Sequence, residues 1–172
     1  MKNIKKAKLQ DVKQLAELAK ASFLVAHGHS ASKEDIENYV ADNFSEANFV
    51  AEISNSDNHY YLIYQNNILA GYSKITLNTI NENIASKNIT YMSRLYLLKA
   101  FYGMQLGKEL FNFNIEFSKQ HKQDGVWLAV WIENQRAIEF YTKMGFKIVG
   151  NYDFRISATH TNPNHIMFLP FQ

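Results

Sequence analysis

The run GVWLAVWI, Gly125–Ile132, limits the fold more than any other stretch of the chain. It is continuously apolar and shows no polar alternation. Such a run suits a strand covered on both faces. It is far too short to cross a membrane as a helix. A second strand, ITYMSRLYLL, spans Ile89–Leu98 upstream of it. Between the two, Leu106, Leu110, Phe113 and Phe117 recur at helical spacing. Two strands joined through a crossover helix are expected to be parallel neighbours.

The flanking elements follow from local pattern. NIKKAKLQD reads as a short first strand, and Asp11 is placed to cap a helix carrying Val12, Leu15, Leu18, Ala19 and Phe23 on one face. Ser32 followed by Asp35 resembles a capping box ahead of Ile36, Tyr39 and Val40. Ser45 opens another helical turn through Phe49 and Val50. HYYLIYQNNILAGYSKI is a hairpin about Asn66-Asn67. LNTINENIASKN is polar and reads as a loop. NQRAIEFYTKMGF is a helix from about Gln135 to Met144, stopped by Gly145 at its C-terminal end. KIVGNYDFRI and NHIMFLP close the chain as strands. No repeat or linker interrupts residues 1–172, which are expected to form a single domain of mixed α and β structure.

Composition narrows the classes of function. At 47% hydrophobic and 14% aromatic, the chain is too apolar for disorder. The formal charge of +2 gives no ground for a nucleic-acid partner. There is no cysteine, which excludes disulfides, a thiolate nucleophile and a cysteine-based zinc site. The basic start MKNIKKAKLQD leads into no apolar segment of the kind a secretory signal needs. A soluble, cytoplasmic protein with no membrane partner is the expectation.

The stretch KAFYGMQLGKELF, Lys99–Phe111, follows the first central strand and opens the crossover helix. Open sheets tend to bind ligands at such a place. A helix N-terminus offers unpaired N–H groups and a partial positive charge, which suit a phosphate. Gly103 and Gly107 would let the backbone turn or approach a ligand closely. Lys108 adds a cation. Two glycines four residues apart also suit a plain turn and helix start, and the residues alone leave both readings open.

A second motif enters here. WIENQRAIEFYTKMGFKIVG resembles the signature of the GCN5-related N-acetyltransferase (GNAT) superfamily, through Asn134, Ala137, Tyr141, Lys143, Gly145 and Phe146. The family's glycine loop maps onto Tyr102, Gly103, Met104, Gln105, Leu106 and Gly107. Its leading Arg or Gln is replaced by Tyr102 and its first glycine by Gln105, while Gly103 is an extra glycine. SRLYLLKAFYG and HGHSASKEDIENYV resemble the PaiA-like branch, which includes spermidine/spermine acetyltransferases.

The resemblance implies a mostly antiparallel sheet of about seven strands, with a splayed parallel pair at its centre and about four helices. It implies acetyl-CoA as cosubstrate, no metal, and a primary amine as acceptor, with a polyamine as one class. The pantetheine arm would lie along Leu95, Tyr96 and Leu97, and the pyrophosphate on the N–H groups from about Gly103 to Lys108, with Tyr102 also at the cofactor. Asn134 and Ala137 would contact the cofactor beside Tyr141. Tyr141 would be the general acid that protonates the leaving thiolate. The acceptor amine must be neutral, although an alkyl amine has a pKa of about 10.4. A base must therefore act, directly or through water. Tyr91, Ser93 and Glu133 stand as alternatives for it. A catalytically silent acyl-CoA-binding domain, or an enzyme acting on protein N-termini, are the competing readings.

Other features have ordinary explanations. His27 and His29 could ligate metal, but no cysteine or carboxylate cluster joins them. Glu34, Asp35, Glu37, Asp42, Glu46 and Glu52 face a single Lys33 within Lys33–Glu52, as a solvated acidic face or as an attraction for a cation. Trp127 and Trp131 fall on one strand face and read as core. Edge strands and the closing hairpin offer apolar surface for a homodimer.

Overall fold

The structure is a computed structural model describing residues 1–172. Its elements are β1 (Lys2–Lys6), a 3-10 turn (Leu9–Asp11), α1 (Val12–His27), α2 (Lys33–Asn43), α3 (Glu46–Ser54), β2 (Asn58–Gln65) and β3 (Ile68–Thr76). There follow β4 (Ile89–Leu97), a second 3-10 turn (Lys99–Phe101), α4 (Leu106–Gln120), β5 (Gly125–Trp131), α5 (Gln135–Lys143), β6 (Lys147–Arg155) and β7 (Thr161–Pro170). The strands make one sheet in the order β1-β2-β3-β4-β5-β7-β6. It is mostly antiparallel, with β4 and β5 as its parallel pair. Five α-helices form instead of about four, because the turn expected after Ser45 extends into α3. The chain divides into two compact units, Met1–Ile75 with Arg94–Asn114, and Thr76–Ser93 with Ile115–Gln172.

In the first unit, α1 buries Val12, Leu15, Ala16, Leu18, Ala19 and Phe23 along one stripe, as the helical spacing requires. Asp11 does not cap α1 as expected. Its φ of −91° and ψ of −6° are helical, outside the extended conformation that a cap adopts, and its carboxylate accepts the Lys8 N–H at 2.8 Å. That bond closes the 3-10 turn instead. Ser32 does cap α2: its hydroxyl accepts the Asp35 N–H at 3.1 Å and donates to the Asp35 carboxylate at 2.8 Å. Ser45 accepts the Asn48 N–H at 3.2 Å and so starts α3. Asn66 and Asn67 both have positive φ, 49° and 64°, the signature of the tight turn expected between β2 and β3.

The second unit is built on β5, which pairs with β7 from Gly125↔Pro170 to Trp131↔Asn164. Its parallel pairing with β4 covers Ile89↔Gly125 to Tyr91↔Trp127. Both faces of β5 are covered, and Val126, Leu128, Val130 and both tryptophans are buried. The Trp127 indole N–H donates to the Thr79 carbonyl at 2.7 Å. The polar loop after β3 is pinned by buried Gln123, which exchanges two hydrogen bonds with Asn78 at 2.9 and 3.0 Å. Gly145 ends α5 with φ +97°, and the Phe146 N–H reaches back to the Tyr141 carbonyl at 3.0 Å.

Gly71 fixes how closely β3 approaches β4. A Cβ there would lie 2.4 Å from the Tyr96 carbonyl oxygen and 2.3 Å from Leu97 Cδ2. The carbonyl cannot give way without moving the strand. Gly71→Ala is therefore expected to lower stability by about 1–3 kcal/mol in urea unfolding. Gly107→Ala, whose Cβ meets only Leu97 Cδ1 at 3.4 Å, should change unfolding little, and equal losses would contradict this account.

Candidate active site

The first unit carries the strand, loop and helix start that the sequence places around a phosphate. Leu95, Tyr96 and Leu97 end β4, and the 3-10 turn then leads to Tyr102. The Tyr102 N–H donates to the Lys99 carbonyl at 3.2 Å, which leaves the N–H groups from Gly103 onward to face a ligand. Gly103 has φ +82° and is exposed, as is Met104. Gln105 has φ +63°, in the left-handed region where glycine is at ease and glutamine is not. The missing glycine therefore has a conformational cost. The Gln105 carbonyl accepts the Glu109 N–H at 3.1 Å, the first bond of the α4 ladder. The N–H groups of Leu106, Gly107 and Lys108 precede that bond and have no acceptor within the helix. Glu109 would oppose an anion here, but Lys2 pairs with it at 2.9 Å.

The same unit holds an aromatic circuit that sequence reading missed. Phe23 contacts Phe44, then in turn come Phe49, Tyr60, Tyr72, Tyr96 and His27, which returns to Phe23. Centroid separations around it run from 5.0 to 6.3 Å. Tyr39 stacks on Phe23 at 5.1 Å. Arg94 of β4 lies against this circuit, its guanidinium 4.8 Å from the Phe44 centroid and 5.7 Å from that of Phe49. It donates to the Tyr60 hydroxyl at 3.1 Å. Tyr60 in turn donates to Glu52 at 2.5 Å, and Lys74 pairs with the same carboxylate oxygen at 2.5 Å.

Burial and charge set the protonation states. Burial would lower the Arg94 pKa, but Tyr72, Tyr60 and Glu52 outweigh it and keep the guanidinium charged. Burial opposes ionisation of Glu52, and Lys74, Tyr60 and Arg94 more than offset it, so its carboxyl titrates below the usual range. Burial pushes the Tyr72 phenol up to about 12, and the nearby guanidinium only partly counters that. The Tyr72 hydroxyl lies within electrostatic reach of Arg94 but outside good hydrogen-bond geometry. Tyr96 meets the His27 Nε2 at 3.2 Å. Burial, with His29 nearby, lowers the His27 pKa to about 4, so the ring is neutral at pH 7. His27 thus belongs to the aromatic circuit.

In the second unit Asn134 caps α5, its Oδ1 accepting the Ala137 N–H at 3.2 Å. Two of the sequence-named residues are thereby joined, and Tyr141 follows one turn later on α5. Tyr141 contacts Phe140 and Phe146 at 5.3 and 5.5 Å. The residue keeps an edge in solvent, while the protein around its phenol raises its pKa above the ordinary value. Tyr141 therefore holds its proton at neutral pH. Tyr91 stacks on Trp127 at 4.0 Å, the contact of an ordinary strand aromatic.

Residues 12–146 match the family model described as the acetyltransferase (GNAT) family. The chain belongs to the GNAT family. An uncharacterized N-acetyltransferase of Lactobacillus delbrueckii subsp. lactis is 26% identical over 79% of each chain. The spermidine N(1)-acetyltransferase of Thermoplasma acidophilum is 27% identical over 84% of this chain and 88% of its own. In fold, the GNAT chain resembles the crystal structure of the PaiA N-acetyltransferase of Thermoplasma acidophilum in complex with coenzyme A. That likeness has a TM-score of 0.79 at 23% identity, over 99% of each chain. The sequence resemblance to GNAT acetyltransferases, and the sheet expected from it, are thus borne out.

Two measurements test this geometry. Gln105→Gly should raise stability by about 1 kcal/mol by relieving the left-handed glutamine, and no gain would remove the strain from the account. For His27, the unfolded ring has a pKa near 6.5 and the folded ring one of about 4. Between these values the unfolded chain binds the proton and the folded chain does not, so stability falls as pH drops from 6.5 to 4. The loss should reach at most about 3 kcal/mol. His27→Gln should flatten that part of the pH–stability curve, and an unchanged slope would assign it to other groups.

Proposed function

We propose that this GNAT chain transfers the acetyl group of acetyl-CoA to a primary amine of a small molecule. The observation that carries the reading is the end of β4 running through Gly103 and Gln105, both at positive φ, into the start of α4. The residues there suit a diphosphate. The N–H groups of Leu106, Gly107 and Lys108 would hold it with the Lys108 cation. Gly107 leaves the backbone uncovered, since an added Cβ would meet only Leu97. The CoA complex of the Thermoplasma PaiA protein, a neighbour in fold, supports the same cosubstrate.

When bound, acetyl-CoA supplies an activated thioester whose thiol becomes the leaving group. The backbone of Leu95, Tyr96 and Leu97 would pair with the amide-rich arm as an added strand does. Asn134 and Ala137 at the start of α5 would contact the same molecule. The Tyr141 Oη–H would give its proton to the departing sulfur. Its raised pKa keeps the phenol protonated until then, at the expense of acid strength. The acceptor ammonium must lose one proton before attack and another as the amide forms. Water reached by Ser93 or Glu133 would take these. Tyr91, held flat on Trp127, is the weaker candidate.

A polyamine is one acceptor class to test, the class that the spermidine N(1)-acetyltransferase of Thermoplasma acidophilum suggests. Glu34, Glu37, Asp42 and Glu46 on α2 and α3 are exposed and would attract a polycation. A homodimer is supported by the exposed Ile148, Val149 and Tyr152 of the edge strand β6.

The test is CoA-thiol release from acetyl-CoA with a panel of amines, read beside acetyl-CoA binding. Tyr141→Phe should reduce kcat by about 10²–10⁴-fold with the acetyl-CoA Kd held. Binding with no amine turned over would leave a silent acyl-CoA-binding domain instead.

A further inference from the structure

Arg94 is an unusual residue for its place. It sits in a mostly apolar strand, packed against rings, and no carboxylate pairs with it directly. Glu52, the acid within the cluster, is engaged by Lys74 and by the Tyr60 hydroxyl. The acceptors that the chain offers Arg94 are phenol oxygens, Tyr60 at 3.1 Å and the neighbouring Tyr72. Phenols are neutral here, since burial raises both pKa values.

Phe44 and Phe49 pack against the guanidinium through cation–π contact. Those contacts balance the charge but supply no oxygen acceptor for the five N–H donors of its fixed fork. Tyr60 takes one of them. A planar anion accepting two parallel bonds is the partner that fits the rest. Arg94 and Lys74 both keep part of their surface in solvent, so the cluster is reachable from outside. A ring-packed cation whose nearest carboxylate is already engaged by Lys74 and Tyr60 favours an anionic ligand over a polycationic one.

We propose that Arg94 binds a carboxylate of the acceptor, so that the preferred substrate is an amino carboxylic acid and not a polyamine. This rests on the acetyl-transfer reading for the identity of the acceptor, and on the first unit alone for the site. Tyr60 positions the fork, and Glu52 with Lys74 holds Tyr60. The partly exposed rings of Tyr96 and His27 would border the carbon chain between carboxylate and amine.

The experiment compares α- and ω-amino acids, each beside its own carboxamide, with spermidine as a further acceptor. In the wild type the best acid should exceed its amide about 10- to 100-fold in kcat/KM. Arg94→Gln should remove that preference, mostly through KM, with acetyl-CoA affinity held. Arg94→Lys, which keeps the charge and loses the fork, should restore only part of it. Equal use of acid and amide by the wild type, or a preference for spermidine over every acid, overturns the proposal without any variant. If no amine is acetylated, the acetyl-transfer reading fails separately. Calorimetric titration of the same acids and amides then decides: Arg94-dependent binding of the acid alone upholds the site, and equal or absent binding of the acids overturns it.

Discussion

The first unit depends on placing one guanidinium among aromatic rings. A charge taken out of water is costly unless its new surroundings supply matching electrostatics. Here the Phe44 and Phe49 rings present their negative faces, and Tyr60 and Tyr72 present phenol oxygens. None of these groups can move far without exposing another. Tyr60 is held by Glu52, Glu52 by Lys74, and the ring circuit closes through His27 and Phe23. The packing of α1, α3, β2, β3 and β4 is therefore specified by shape and by charge together, which an aliphatic core would not do.

This network accounts for what the sequence could and could not convey. Signals confined to one segment were legible. Ser32 and Ser45 cap helices where their spacing says they should, the Asn66-Asn67 turn takes two positive φ values, and Gly145 stops α5. The apolar run of β5 did mark a strand covered on both faces. The aromatic circuit was not legible, because its members are separated by up to 73 positions, from Phe23 to Tyr96. Each looks like an ordinary core aromatic until the fold brings them together. One signal was available: an arginine inside ITYMSRLYLL, in a strand otherwise nearly free of charge, calls for a partner that no neighbour in sequence supplies.

Local misreadings have a physical source as well. Asp11 has a cap-forming side chain, but the residue's backbone is already helical, so the carboxylate turned to Lys8. Side-chain type gives the capacity to cap, and φ/ψ decides whether it is used. Gln105 is the converse case. Its side chain gave no warning of φ +63°, which is imposed by the need to turn from the 3-10 segment into α4 within a few residues. A loop that keeps a strained residue where glycine is the easier choice is a place where sequence economy and local geometry disagree.

The strand β4 is where these demands converge, through its period of two. Arg94 and Tyr96 lie on one face and enter the aromatic circuit. Leu97, next along, points the other way and lies against Gly71 of β3 and Gly107 of α4. One four-residue segment thus carries the guanidinium, a ring of the circuit, and the contact that seats the start of α4. Gly71 couples them, because the Tyr96 carbonyl and the Leu97 side chain both occupy the space where its Cβ would be. Displacing β4 by even half an ångström would alter the Arg94–Tyr60 bond and the seating of the α4 N-terminus at once. The Arg94–Tyr60 bond and the seating of α4 are then mechanically linked through the backbone of a single strand. That linkage needs no long-range pathway, because adjacent residues on opposite faces already supply it.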